Sequence, residues 1–504
     1  MLKYKILSGL LAVSLVFSLS GCKTGKNDSR ERFNISVYNG GMQPVDGETP
    51  VKNRLEEKTG VDLTYIYSTY ETRNTKLDVM ISSGKTPDLF TYGYTIGEKF
   101  NRLIQQNVVA ELTPYIEDYP NIKKRMEEFE TVTRYGKSKN YFIPVKSTDT
   151  EANVVCEHAW FYRSDVVEEL GLKLPTNADE LYSFLKALKQ YQIDNGQTGD
   201  SPLTLQSPFF LYCIYNLFGT DIKGVEEING QMQPTAVGDK MKQAVLYIRK
   251  LYSEGLLDRE FMLTPDWEFM FNKFLDGKAL VIYTNYKYDI MSEASRERYP
   301  QRDPQQTIAY MPVMYNNRGY KSVRGYYNYF GGLFFKKEDS EEKMRKKLEL
   351  VDYMLSDDGM TLLRYGIEGI HYEIKDGKPV SLLGRDKNGV AKTLAEADPG
   401  AGIKELVMYD VLFRGYNNPC DSYINEIKNE YLRYAKVDNN FIYTGPPEQM
   451  SVDSTALEEF AENSMVTLIT TENDFDAEWD KYCRKYMEKG GAQLAEYAAE
   501  APRQ

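Results

Sequence analysis

Phe33-Asn34-Ile35-Ser36-Val37-Tyr38 alternates apolar and polar residues, and Val61-Asp62-Leu63-Thr64-Tyr65-Ile66-Tyr67 does the same. A period of two marks a strand with one face turned to a core. Between them, residues 50–58 read as a helix stopped by Gly60. Residues 75–83 read as a second helix, ended by Gly84 with Pro87 beyond, and Asp88-Leu89-Phe90-Thr91-Tyr92 as a third short strand. Strands alternating with short helices predict a parallel sheet with right-handed crossovers. Ligands of such sheets sit at the carboxyl ends of the strands, which places Asn39, Gly40, Tyr92 and Tyr94 beside a cleft.

A second unit of the same kind begins after Tyr141-Phe142-Ile143-Pro144-Val145. Residues 153–162 read as a strand, and a helix starts at Ser164-Asp165. Asn177 with Glu180 predicts a capping box ahead of a helix whose buried face is Leu181, Phe184, Leu185 and Leu188. Met241, Val245, Ile248 and Tyr252 stripe a helix closed by Gly255. Leu280-Val281-Ile282-Tyr283 reads as a buried strand. Met344, Leu348, Val351 and Leu355 mark a further helix ending near Asp358-Gly359. Gly, Asp and Pro dominate residues 376–402 and predict surface loops there.

The chain opens differently. Lys3 and Lys5 precede an apolar run from Ile6 to about Phe17, which closes on Leu19-Ser20-Gly21-Cys22. A charged start, a short apolar stretch and small residues at a cut site describe a secretory signal peptide. The run is too short to cross a bilayer, which takes roughly 20 residues. Leu-Ser-Gly-Cys resembles the bacterial lipobox, in which the cysteine is acylated and becomes the first mature residue. Residues 1–21 are then the signal, Cys22 the lipid anchor and residues 22–32 a polar tether. The expected location is the extracytoplasmic face of the cell membrane.

About 480 residues remain without the signal, enough for two or three lobes. The formal charge of -12 becomes -14 once Lys3 and Lys5 are removed, which disfavours nucleic acid as a partner. With only two histidines, His158 and His371, no imidazole-based metal cluster is expected. The Gly-x-Ser-x-Gly elbow is absent, and Gly84-Lys85-Thr86 reads as a helix cap rather than the end of a phosphate loop. Asp474-Phe475-Asp476-Ala477-Glu478 is no calcium loop, because Trp479 stands where Gly is needed. No cofactor, metal or catalytic residue is expected, and His158 reads as structural. Cys156, Cys213, Cys420 and Cys483 follow no metal spacing and permit three disulfide pairings or none. The 40 Tyr, 22 Phe and 3 Trp suit either a core or a surface for sugar rings, since Tyr and Trp join an apolar face to a polar edge.

Five segments, in order, resemble the solute-binding lipoproteins of bacterial carbohydrate ABC importers, in the large oligosaccharide-binding branch distantly similar to maltose-binding protein. They are Leu55-Glu56-Glu57-Lys58-Thr59-Gly60-Val61; Ser82-Ser83-Gly84-Lys85-Thr86-Pro87-Asp88-Leu89; Trp160-Phe161-Tyr162-Arg163-Ser164-Asp165 with Leu170-Gly171-Leu172-Lys173-Leu174-Pro175-Thr176; Phe274-Leu275-Asp276-Gly277-Lys278-Ala279; and Phe475-Asp476-Ala477-Glu478-Trp479-Asp480-Lys481-Tyr482 with Gly490-Gly491. The resemblance implies an α/β, two-lobed periplasmic-binding-protein type II fold with three hinge crossings, expected near residues 145–150, 329–332 and 366–371. Lobe 1 is then 33–147 with 331–368, and lobe 2 is 148–330 with 369–504. It also implies an oligosaccharide ligand between the lobes, an ABC permease as partner and a monomer held to the membrane by its lipid alone. Many members of the branch carry an acidic calcium loop after the helix that ends here near Tyr191. In residues 192–201 of this chain only Asp194 and Asp200 offer carboxylates, with Asn195 as a further oxygen.

Sugar sites combine aromatic planes with planar polar side chains. By the resemblance, Trp160 lies on the first strand of the second lobe facing the cleft, and Tyr283-Thr284-Asn285-Tyr286-Lys287-Tyr288 follows the strand where relatives present an aromatic platform. Tyr326, Tyr327 and Tyr329 precede a hinge crossing. The candidate ligand residues are therefore Trp160, Tyr92, Tyr94, Tyr283, Asn285, Tyr286, Tyr288, Tyr326 and Tyr327. Trp267 and Trp479 are expected to pack helices. A surface-anchored glycosidase or lyase would share the anchor and the aromatic richness, and a peptide binder would share the fold.

Overall fold

The computed structural model describes residues 32–38, 49–69, 72–93, 98–129, 134–135, 139–147, 154–205, 208–262, 267–285, 307–338, 340–384, 392–408, 421–436 and 454–500. The signal, Cys22, Tyr94, Tyr286, Tyr288 and Cys420 lie outside these residues.

Among the described residues nine strands build the two larger sheets. β1 (Phe33–Tyr38), β2 (Val61–Ile66), β3 (Leu89–Tyr92) and β4 (Phe142–Lys146) belong to the first. β5 (His158–Arg163), β6 (Leu203–Thr204), β7 (Val281–Asn285) and β8 (Ile308–Tyr310) form the second. β9 (Tyr329–Phe335) then returns to the first, giving the orders β2-β1-β3-β9-β4 and β8-β5-β7-β6. β1 pairs parallel with β2 and β3, as the β-α-β pattern predicts. β9 runs antiparallel between β3 and β4, with Phe334 opposite both Phe90 and Phe142.

Alternation explains why each sheet has a core on both faces. In the first, Ile35, Val37, Leu89, Ile143, Val145, Leu333 and Phe335 meet the helices Pro50–Thr59 and Glu341–Leu355 through Leu55, Leu348 and Val351. Their neighbours Tyr38, Phe90, Tyr92, Phe142 and Phe334 point the other way, onto Phe100 and Leu77. In the second, Trp160, Tyr162, Val281 and Tyr283 face the helices Ala178–Asp194, Asp239–Ser253 and Ser454–Thr470, while Ala159, Phe161 and Ile282 face Phe274, Ile427 and Tyr431. Trp479 packs in the same core as Trp160, as expected for a terminal anchor. The side chain of Trp267 lies outside the described residues.

Local expectations hold with small shifts. Asn177 Oδ1 accepts from the Glu180 amide at 3.0 Å, but the Glu180 carboxylate reaches back to Thr176 N, at 2.9 Å, rather than to Asn177. Gly84 adopts φ 73° just past the helix Arg73–Ser82, the cap geometry anticipated. The helix Glu341–Leu355 stops four residues earlier than Gly359, because a second helix, Asp357–Tyr365, starts there with Ser356 as its cap.

Two strand segments tie the sheets together. Val154–Val155 pairs antiparallel with Tyr326–Tyr327, and Ser147 N donates to Asn328 O at 3.2 Å. The chain thus leaves the first sheet after Lys146 and re-enters it at Tyr329, two passages lying side by side. Gly331 makes the return possible: its φ is 144°, and a Cβ there would stand 2.6 Å from Tyr92 O.

The third expected passage, at 366–371, is not one. Leu394, Ala401, Ile403, Leu406 and Val407, assigned to lobe 2 by sequence, pack into the first core, and Met408 bridges to Lys146. Chain from the second lobe is next described in the helix Asp421–Leu432, whose Ile427 and Tyr431 join the second lobe's core. The Gly- and Pro-rich segment read as surface loop is so only in its first part, where residues 376–378 lie at the exposed turn of a hairpin; residues 393–402 are instead closely packed. Asp398 accepts from Val51 N, at 2.8 Å, and from Gly400 N, and a Cβ on Gly400 would lie 2.2 Å from Thr49 Oγ1. Small residues here serve contact, not exposure. Among the described residues no helix is long and apolar enough to cross a membrane.

Candidate ligand-binding site

β5 leaves the hinge at His158, which stands opposite Asn285 at the end of β7. Strand alternation puts His158 on the same face as Trp160 and, on the paired strand, Tyr283. Around the imidazole stand four more rings. Phe210 is 5.1 Å away, Tyr283 is stacked at 6.1 Å, and Tyr212 and Tyr326 are each at 6.3 Å, edge-on. Trp160 closes the far side of Tyr283 at 5.2 Å, and Tyr212 meets Tyr283 edge-on at 5.6 Å. This is a cage of aromatic rings at the hinge end of the second sheet.

A buried ion pair fixes its floor. The Arg324 guanidinium lies 4.0 Å from the Tyr212 ring centre, and Asp221 grips it in a bidentate pair, with Nε donating to Oδ2 at 2.7 Å and Nη2 to both oxygens. Both side chains are buried. The pair satisfies the charges and leaves Arg324 to orient Tyr212. Burial and the nearby Arg324 charge push the His158 pKa down to about 3, so the imidazole is neutral at physiological pH. Its Nδ1 is buried with no hydrogen-bond partner among the described residues, and the Tyr326 hydroxyl makes no well-formed hydrogen bond there either. Leaving such groups unmet costs about 1–3 kcal/mol each. His158, Tyr326 and Asn285 are half-buried, although the His158 Nδ1 and the Tyr326 hydroxyl are themselves covered.

The cage gathers Trp160, Tyr283 and Tyr326 from the sequence candidates, with Asn285 at its rim. Trp160 and Tyr283 are 4% and 2% exposed and serve as walls rather than open platforms. Tyr327 points to the opposite side of its strand and stacks on Tyr329 at 6.4 Å. Tyr92 belongs elsewhere: it is 3% exposed in the Phe90–Phe334 cluster of the first lobe. His158, Phe210, Tyr212, Arg324 and Asp221 were not among the candidates. The one available signal was Arg324 two residues before the tyrosine pair; Asp221 lies 103 positions away. Cys156, Cys213 and Cys483 are free thiols.

Two lobes joined by paired hinge strands, with an aromatic cage where they meet, define a ligand-capturing protein of the type II class. The chain belongs to the bacterial extracellular solute-binding proteins, whose family profile matches residues 46–361. It is 22% identical over its whole length to the polygalacturonan/rhamnogalacturonan-binding protein YtcQ of Bacillus subtilis, covering 99% of that protein. It is 26% identical over 50% of its length to the fructooligosaccharide ABC transporter substrate-binding protein FusA of Streptococcus pneumoniae, covering 51% of it. Among solved structures it matches alginate-binding protein AlgQ2 without calcium ion, with a TM-score of 0.70 at 18% identity over 94% of this chain and 98% of that one. It also matches FusA in complex with kestose, with a TM-score of 0.68 at 19% identity over 93% and 98%. The fold is therefore the two-lobed periplasmic-binding-protein type II fold.

Proposed function

We propose that this protein captures an oligosaccharide between its lobes and delivers it to the permease of an ABC importer. It acts as a monomer at the outer face of the cell membrane, held there by acylated Cys22, and carries out no chemistry on its ligand. The lobes are residues 33–147 with 331–408, and 154–330 with 421–500. The observation that carries the reading is the cage: aromatic faces around a neutral imidazole whose Nδ1 has no hydrogen-bond partner among the described residues. Sugars present apolar C–H faces and hydroxyl edges, which is the complement of that surface. The names of YtcQ as polygalacturonan/rhamnogalacturonan-binding, of FusA as the substrate-binding protein of a fructooligosaccharide ABC transporter and of AlgQ2 as alginate-binding support the ligand class. Trp160, Tyr283, Tyr326 and His158 form the inner wall, Asn285 the rim, and Tyr327 a flanking ring. Tyr286, Tyr288 and Tyr94 complete the proposed ligand set.

The test is calorimetric titration with galacturonides, alginate oligomers and fructooligosaccharides, paired with small-angle scattering. Tight binding of one class with compaction of the protein is expected. Binding of none, or release of shortened product from any, overturns the proposal. Cys22→Ser should shed the protein into the medium or leave its signal uncut.

A further inference from the structure

The resemblance implies a calcium loop after the helix Ala178–Asp194, and the structure builds that loop on a different plan. Gly196 turns the chain at φ 79°, and Gln197 N donates to Gln192 O at 2.7 Å. The carbonyl oxygens of Thr198 and Asp200 then converge on the half-buried Lys189, whose ammonium donates to the first at 3.1 Å and to the second in a shorter contact. The side-chain amides of Gln192 and Gln197 donate to the carbonyls of Lys278 and Gly277 at 3.0 and 3.3 Å, sewing the loop to the turn before β7. Asp194 is exposed, and its Oδ1 accepts from Gln190 Nε2 at 2.8 Å. Asn195 donates its amide to Tyr191 O at 2.9 Å.

Calcium asks for six to eight oxygens and several negative charges around one point. Here the oxygens that converge are taken by N–H donors, and a positive group stands at their focus. Among the described residues no group of three or more acidic, histidine or cysteine side chains could hold a metal. The donor set does not fit calcium. An ammonium, with three donors and no acceptor, does fit paired carbonyls.

We infer that Lys189 is a built-in cation that closes this loop in place of a metal ion. The loop leads straight into β6, and Pro202 O accepts from both Leu280 N and Val281 N. The ammonium therefore positions the chain that pairs β6 with β7, at the edge of the sheet bearing the cage. A covalently held charge acts at any ion concentration, whereas a bound metal stabilises only in proportion to its occupancy.

The experiment needs no sugar, so it stands apart from the proposed function. Melting of the purified protein is followed in excess chelator and in millimolar calcium, with amide exchange read across residues 195–201. The wild type should melt at the same temperature in both. Lys189→Met should melt several degrees lower in both and exchange faster in the loop, and Lys189→Arg should recover part of the loss. A wild type that melts several degrees higher in calcium overturns the inference. So does a Lys189→Met protein that melts and exchanges like the wild type. If Lys189→Met does not accumulate, the calcium series on the wild type and the exchange of Lys189→Arg still decide.

Discussion

Each lobe carries an aromatic cluster on its sheet, and the two are made of different rings. In the first, Phe90, Phe100 and Phe142 each lie 5.6–5.9 Å from Phe334, Phe90 stacked on it and the other two tilted. Phenyl rings have no polar edge, and the tyrosines packed beside them turn their hydroxyls to groups of the same lobe, Tyr38 to Arg73 O and Tyr92 to Asp78 Oδ1. In the second, Tyr212, Tyr283, Tyr326 and His158 pack at similar distances but bring a hydroxyl or ring nitrogen into the interior. Polar edges in a low-dielectric setting cost free energy unless they are met. One cluster is finished by folding alone; the other keeps a buried ring nitrogen with no hydrogen-bond partner among the described residues, which is the group the proposed ligand would meet. The difference separates scaffold from site more sharply than aromatic content does.

The largest effects should expose this contrast. Phe334→Ala removes a fully buried ring from the first cluster, and about 3–5 kcal/mol of stability should go with it. Asp221→Ala strands the buried Arg324 charge beneath the second cluster and should cost a similar amount, about 3–5 kcal/mol. Urea denaturation measures both. They diverge in binding: the folded fraction of Phe334→Ala should keep its ligand affinity, while Asp221→Ala should lose affinity because Tyr212 is no longer oriented. Equal affinities in the two variants would erase the distinction between the lobes.

A smaller and more selective effect is expected at the open edge. Truncating a buried aromatic contact often costs about 2 kcal/mol, roughly thirtyfold in affinity. Tyr326→Ala should weaken oligosaccharide binding on that scale and lower stability less than Phe334→Ala does. Trp160→Ala, by contrast, should behave mainly as a core variant, since the ring is 4% exposed and packed against Tyr283. Calorimetry alongside denaturation separates the cases. A Tyr326→Ala protein that melts early and binds normally would move Tyr326 from site to scaffold.

Much of the fold could be read from local pattern, because period-two alternation and glycine stops act over a few residues. β1, β2, β3 and the helices between them are of this kind. The return of β9 to the first sheet followed from resemblance rather than from pattern, since Gly331-Gly332 reads locally as a turn. The segment 394–407 was misplaced because glycine and proline are ambiguous: they mark loops by default and close approach when, as at Gly400, a Cβ would collide. The site was the least legible part. Its tyrosines were recognisable as a residue type, but which face each occupies depends on register, and a one-residue shift separates Tyr326 in the cage from Tyr327 outside it. The Asp221–Arg324 pair joins distant stretches and leaves no mark in either. His158 read as structural because a lone histidine in a strand carries no sign of the rings that fold around it.

The smallest expected effect concerns that histidine and tests whether the second cluster is dry enough to hold it neutral. In the unfolded chain His158 takes up a proton near its ordinary pKa of about 6.5, while in the folded protein burial and Arg324 hold it neutral down to about 3. Between those values the unfolded state binds more protons, so stability falls as pH drops from about 6.5 toward 3 and is unaffected above that window. The ceiling is about 1.4 kcal/mol per pH unit, reduced by the partial exposure of the ring. His371 is also held below its usual value by burial, and it contributes to the acid limb with the same sign. His158→Phe keeps an aromatic ring in the cage and removes only the His158 share. Denaturation of the variant and the wild type at pH 7 and pH 5.5 should therefore show a gap that changes by about 1 kcal/mol in favour of the variant at the lower pH. Parallel acid limbs would mean that His158 titrates normally and that water, not aromatic packing, surrounds it.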